Sequence, residues 1–225
     1  LQPSTPLKPR RRPLLLSLGS LALASLLALA GPATAQSAKT KQRPGAPAAA
    51  TYAQHEAAQR FAAELDRTQG WSDGWATQWV SQAQRNAQAI RLIAPAPAGT
   101  AKNWAAYRAR FVEPKRLQAG VRFWQQHADA LQRAEATYGV PAWLVVGIIG
   151  VETLYGQHTG QFRVLDVLAS LAFEFPPQHP RVEQRTEFFR SELAAFLTLA
   201  RASQQAPPDG LGSYAGAMGL PQFMP

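Results

Sequence analysis

The 225-residue chain contains no cysteine. That absence excludes a disulfide framework, a thiolate nucleophile, a cysteine-based zinc or iron–sulfur site, and lipid attachment through an N-terminal lipoprotein cysteine. Acidic residues are scarce, 14 against 23 lysines and arginines, and none precedes Glu56. Histidine is sparse as well: His55, His127, His158 and His179 lie far apart without H-E-x-x-H spacing, which argues against a metal site. No G-x-S-x-G elbow, G-x-x-x-x-G-K-[ST] phosphate loop or complete calcium loop occurs, so serine hydrolysis and phosphate cradling lose their usual signals. Strand alternation is nearly missing too, which leaves a mainly α class. What is present, 46% hydrophobic residues with only 16% charged ones, suffices for a real core.

The positive charge is concentrated at the start. Lys8, Arg10, Arg11 and Arg12 precede an apolar run from Pro13 to Ala30, followed by Ala33-Thr34-Ala35 with small residues at cleavage-site spacing. This pattern predicts a secretory signal peptide over residues 1–35. An uncleaved anchor is the other reading, but Ser17, Gly19, Ser20 and Ser25 dilute the run. Removing 35 of the 225 residues leaves 190, and removing four of the 23 basic residues against 14 acidic ones leaves a charge of only +5. Nucleic acid therefore loses most of its case as a partner. An exported, mildly basic chain with six Trp and five Tyr suits an anionic sugar polymer of a bacterial envelope.

Residues 36–50 mix Pro, Ala, Gly, Lys and Gln without apolar periodicity and read as a flexible linker. Residues 51–225 then form the expected folded domain. Phe61 and Leu65, then Trp75, Trp79 and Ala83, recur at helical spacing and are expected in the core; a third segment carries Trp104, Tyr107 and Phe111. Val121, Trp124, Ala128 and Leu131 predict one helix between Arg116 and Tyr138, closed by Gly139 before Pro141 opens the next. That next segment, PAWLVVGIIGVETL from Pro141 to Leu154, is apolar on nearly every side and is expected to be buried. Helices follow at Val164–Phe173 and over residues 181–202, then a Gly- and Pro-rich loop from Pro207 to Pro225 suited to framing a site. Beginning at Leu1 and stopping just after Phe223-Met224, the chain reads as a fragment of a longer protein.

Glu152 is the leading chemical candidate. Val146, Ile148, Ile149, Val151 and Leu154 around it predict a desolvated carboxyl with a raised pKa, able to donate a proton to a glycosidic oxygen. The competing reading is a helix-end glutamate bonded to backbone or to an arginine such as Arg163. A conventional glycosidase needs a second carboxylate. Asp166 is better explained as support for a helix N-terminus, and Glu174, Glu183, Glu187 and Glu192 as solvated or ion-paired.

At these residues the sequence resembles the lytic murein transglycosylase B family, whose domain has the lysozyme-like fold. The match is carried by YGVPAWLVVGIIGVETLYG from Tyr138 to Gly156 and GSYAGAMGLPQFMP from Gly212 to Pro225, with RVLDVLASLAF from Arg163 to Phe173 between them. Weaker similarity extends back to about Phe61. The resemblance implies a lysozyme-like helical catalytic domain with an extra N-terminal helical region. It also implies that Glu152 is the one catalytic acid, cutting peptidoglycan glycan strands without water and leaving 1,6-anhydro-N-acetylmuramic acid ends. Ser213 and Gln222 match positions lining the groove, Gly216 and Gly219 would let the loop approach the glycan, and Met218 and Phe223 would form its apolar wall. Arg185 falls near a basic substrate-binding position, although FPPQHPRVEQRTEFF, Phe175 to Phe189, is longer than the family pattern.

The resemblance further places the protein in the periplasm of a Gram-negative bacterium, with no stable membrane anchor after signal cleavage and other cell-wall enzymes as conceivable partners. It implies no cofactor in this segment and, in some members, a calcium-binding loop and further groove residues beyond Pro225. On that basis the segment alone is expected to be inactive or weakly active. The alternatives are a lysozyme-type hydrolase of the same fold and a non-catalytic peptidoglycan-binding or scaffold protein.

Overall fold

The computed structural model describes residues 50–95 and 103–225. The expected signal peptide and all but the last residue of the expected linker lie outside the described residues. Nine α-helices and two two-residue strands are formed among those described.

The first three helices are α1 (Glu56–Gln69), α2 (Trp75–Gln82) and α3 (Ala87–Leu92). Their starts are set by side chains that accept from otherwise orphaned amides: His55 Nδ1 from Ala58, and Asn86 Oδ1 from Ala89. For α2 the acceptor comes from a neighbouring helix, because Asp66 of α1 takes the Ala76 and Thr77 amides at 2.7 and 3.0 Å. Next come α4 (Trp104–Ala109), α5 (Pro114–Gln126), α6 (Ala128–Tyr138) and α7 (Ala142–Thr153). Glu113 caps α5 by accepting from Lys115 and Arg116, with Pro114 at the first helical position. The single helix expected between Arg116 and Tyr138 is broken at His127, whose φ of −116° and ψ of 18° fit neither helix. As expected, α6 ends on Gly139, which adopts φ 68° and donates to the Glu135 carbonyl.

Strand β1 (Phe162–Arg163) leads into α8 (Val164–Phe173), which is followed by α9 (Val182–Ala202) and by β2 (Leu211–Gly212). The strands pair antiparallel, Phe162 opposite Gly212 and Arg163 opposite Leu211. Helix α8 is the most buried element: every residue from Val164 to Ala172 is buried. It packs along α9 and against α1 and α3, and with them builds the larger apolar cluster, including Leu65, Val80, Leu165, Leu168, Phe189 and Leu197. Its two buried polar residues are satisfied by the segment between α2 and α3. Asp166 accepts from the Gln84 amide at 2.9 Å and pairs with Arg163 at 3.1 Å, while Ser170 accepts from the Asn86 amide at 2.8 Å.

A smaller cluster joins α5, α6 and α7 through Phe123, Leu131, Ala142, Val146 and Ile149. Here the structure corrects the expectation that α7 is buried on nearly every side. Ala142, Val146, Ile149, Gly150 and Thr153 face inward at helical spacing, whereas Trp143, Leu144, Ile148 and Val151 are exposed. The core stripes are mixed in the same way: Leu65 and Ala83 are buried, but Val121, Trp124, Trp104 and Tyr107 are exposed. No single helix among the described residues is long and apolar enough to cross a membrane.

Candidate active site

Glu152 occupies the last turn of α7, one turn beyond Ile148 and two beyond Leu144 on the uncovered face. The carboxyl is exposed, which corrects the expected desolvation. Its apolar sequence neighbours do not enclose it, because Val146 and Ile149 point into the smaller cluster while Ile148 and Val151 are each 44% exposed. Nor does it pair with Arg163, which pairs with Asp166 instead.

What fixes Glu152 is the residue after it. Thr153 is fully buried. Its Oγ1 lies 2.9 Å from the Leu220 carbonyl and 3.2 Å from the Ile149 carbonyl, and it accepts from the Gly156 amide at 3.0 Å. One hydroxyl thus joins the end of α7, the turn beyond it and the glycine-rich loop. The turn is tightly wound, with Leu154 at φ 50° and Tyr155 at φ 58°, left-handed values uncommon for side-chain-bearing residues. Tyr155 is held because its phenol end fills the space left by Gly120 of α5 and Gly150 of α7; a Cβ at either glycine would overlap it. Arg116 of α5 adds a donor to the Gly150 carbonyl, two residues before Glu152, and stacks over Phe111.

Two further contacts bring the segment after α7 against the glycine-rich loop. Gly160, at φ 98°, packs so closely that a Cβ would overlap the Gly212 carbonyl and crowd the Ser213 amide. Gln222 Nε2 donates to the Thr159 carbonyl at 3.1 Å and to the Gly219 carbonyl at 3.0 Å. The loop itself is tied by the Ser213 and Ala217 backbones and by Met218 paired with both Gly212 and Phe223. Ser213 Oγ accepts from the Ala215 and Ala217 amides at 3.3 and 3.1 Å, a local turn that leaves its own proton uncommitted among the described residues. Glu152, Ser213 and Gln222 are therefore carried by two segments held together by these contacts and by the β1–β2 pairing.

Three other expected site residues are placed differently. Gly216 is buried, and its missing Cβ leaves room for close packing against Leu168 of α8. Met218 is partly buried against the larger cluster, whereas Phe223 is 67% exposed and free to present a wall. Arg185, in the first turns of α9, stacks over Phe188 and Phe189 at 5.1 Å from each centroid. The loop touches α9 at Phe196 through Gly210. Eleven residues separate Arg185 from that point, about 16 Å along the helix axis.

Of the carboxylates weighed as second acids, Asp166 and Glu174 are engaged elsewhere. Asp166 is held by Gln84 and Arg163, and burial pushes its pKa up against the opposing effect of those two partners. Glu174 accepts from the Tyr52 hydroxyl at 2.7 Å and pairs with Arg85 at 2.5 Å. Glu192 is raised by partial burial, on α9. Sequence reasoning missed Thr153, Tyr155, Arg116 and Gly160, whose roles come from contacts 30 to 70 residues away in the chain. The only sequence signal for them was the adjacency of Thr153 and Tyr155 to Glu152.

Comparison with known proteins matches this architecture. The transglycosylase SLT domain family covers residues 53–225. The membrane-bound lytic murein transglycosylase B of Escherichia coli (strain K12) is 41% identical over 182 residues, 77% of this chain and 48% of that protein. Soluble lytic transglycosylase SltB1 from Pseudomonas aeruginosa superposes with a TM-score of 0.67 at 43% identity, covering 75% of this chain and 54% of that one. The Escherichia coli lytic transglycosylase Slt35, solved in complex with calcium, gives 0.63 at 42% identity, covering 74% of this chain and 51% of that one. This chain thus spans about half the length of the relatives it matches. Its mainly α, lysozyme-like fold is the one expected from its sequence. The chain belongs to the transglycosylase SLT domain family.

Proposed function

We propose that residues 51–225 form part of a lytic transglycosylase that cleaves the bond between N-acetylmuramic acid and N-acetylglucosamine in peptidoglycan, with Glu152 as its single acid and base. The observation that carries the reading is the tie through Thr153 between the Glu152 helix end and the glycine-rich loop, within a chain 41% identical to a murein transglycosylase. As an acid, Glu152 would give its proton to the glycosidic oxygen while the bond from that oxygen to the muramic C1 breaks. The acetamido oxygen of the muramic residue closes on C1 to give an oxazolinium ion. Glu152, now a carboxylate, takes the proton of the C6 hydroxyl, whose oxygen displaces the acetamido oxygen at C1. The acid is regenerated, a 1,6-anhydro ring is left, and no water is consumed. An internal hydroxyl near C1 has a large effective molarity, which lets it outcompete water.

In this reading the glycan itself excludes water from Glu152 as it covers Ile148, Val151 and Phe223. The uncommitted Ser213 proton and the Gln222 carbonyl oxygen supply polar contacts to the sugar. Arg185 would reach substrate only at a point well along α9 from the loop.

No group of three or more His, Asp or Glu able to hold a metal occurs among the described residues, so these residues do not fit calcium and no step runs through it. The basic leader followed by an apolar run supports export to the periplasm of a Gram-negative bacterium, where murein lies. Glycan strands are the proposed partner. Incubating purified sacculi with the protein tests the reaction: products lighter by one water than hydrolytic fragments support it. Reducing-end products would make it a hydrolase, and binding without release would make it a scaffold.

A further inference from the structure

A second site is built at the far end of α9, from residues the proposed chemistry does not use. An open cavity of about 520 Å³ is lined by Asp73, Trp75, Trp79, Arg201, Gln204 and Gln205. That volume lies within the usual range for small-ligand sites, about 300–1,000 Å³. The two indoles meet edge to face with centroids 5.7 Å apart, and Trp75 Nε1 donates to the Leu197 carbonyl of α9 at 3.2 Å. Arg201 is clamped as firmly. Its guanidinium lies 5.2 Å from the Trp71 and Trp75 centroids and bonds both oxygens of Asp73, at 3.0 and 3.1 Å. The aromatic wall is therefore rigid before anything binds, which lowers the entropic cost of binding.

Three side chains around this cavity have no internal hydrogen-bond partner among the described residues. The Trp79 indole N–H is buried and finds no acceptor among the described residues. Gln204 and Gln205 are exposed, and no hydrogen bond to either side-chain amide is formed among the described residues. Gln204 also holds a left-handed φ of 55° as the chain turns off α9.

The chemistry of the lining selects its ligand. A cation is disfavoured because Asp73 is the one carboxylate and is spent on Arg201. A phosphate is disfavoured because that arginine's charge is neutralised. A purely apolar ligand would leave the Gln204 and Gln205 amides without partners. What suits two indoles beside two free amides is a neutral ring with C–H faces, hydroxyls and an amide of its own. We infer that the cavity between α2 and the end of α9 is an accessory glycan-binding site for an N-acetylated hexosamine unit. The site grips a strand apart from the Glu152 segment; the ligand class rests on the proposed function, while the binding does not require cleavage.

The test uses the whole chain carrying Glu152→Gln, titrated with the β-1,4-linked tetramer of N-acetylglucosamine and followed by indole N–H resonances. Trp75 and Trp79 are expected to shift saturably. In a Gln204→Ala, Gln205→Ala double variant the same shifts should require at least tenfold more ligand; both residues are exposed, so folding is unaffected. Absence of shifts at Trp75 and Trp79, or titration unchanged in the double variant, overturns the site. A protein that shifts but, with Glu152 intact, releases no anhydro product keeps the site and loses the proposed reaction; release of product without these shifts does the reverse.

Discussion

Glu152 is exposed, so replacing it with Gln should change stability by less than about 0.5 kcal/mol, as surface substitutions do. Turnover of sacculi should nonetheless vanish, because the amide can neither give nor take the proton. Thermal melting and product release, measured on the same sample, check both halves. Thr153 should behave oppositely. Thr153→Val keeps the shape but removes the hydroxyl shared by Leu220 and Gly156, leaving two part-buried backbone groups short of a partner at a cost of about 1 kcal/mol. Its kcat should fall while Thr153→Ser recovers most of it. The candidate acid was legible in the sequence, as a lone carboxylate in an apolar run that resembles a known motif. Its exposure was not. When almost every position of a helix is apolar, the 3.6-residue period carries no information about which face turns inward.

At the scale of elements, the close approach of Gly160 to Gly212 holds the segment after α7 against the glycine-rich loop. Gly160→Ala would place a Cβ in the Gly212 carbonyl and also strain a φ of 98°, so the two segments must separate. Product release should drop at least tenfold while far-ultraviolet circular dichroism, dominated by α8, α9 and the N-terminal helices, stays helical. Asp166 gives a pH signature to the joint between α8 and the segment after α2. Burial raises its pKa, so ionisation costs more in the folded chain than in the unfolded one. Stability from this group is present below the ordinary aspartate range near about 3.9 and is lost as pH rises through the raised folded value. Asp166→Asn keeps the acceptor for the Gln84 amide and removes that loss. The stability difference between variant and parent should therefore move in the variant's favour from pH 3 to pH 7, as read from urea midpoints. A difference independent of pH would contradict the burial argument. The bounds of α8 and α9 were legible because apolar runs there end at polar or proline-rich breaks. The break at His127 was not: helix-compatible residues continue across it, and only packing of α5 and α6 against α7 requires the bend.

At the scale of the whole molecule, two clusters of helices among the described residues are linked by the turn after α7 and the glycine-rich loop, and the candidate acid sits at that junction. The mainly α class, the glycine-rich loop and the family were readable from composition and two motifs. The packing of Gly216 and Met218 onto α8 and the core was not, because a glycine that admits a ligand and one that admits a neighbouring helix have the same sequence. The central claim is a reaction without water at a single carboxylate. It is tested most directly by mass spectrometry of the soluble products released from purified sacculi by the full gene product, with Glu152→Gln beside it. Fragments lighter by one water than hydrolytic products, absent with the variant, are the result this account requires. Reducing-end fragments, or anhydro products undiminished in the variant, would contradict it.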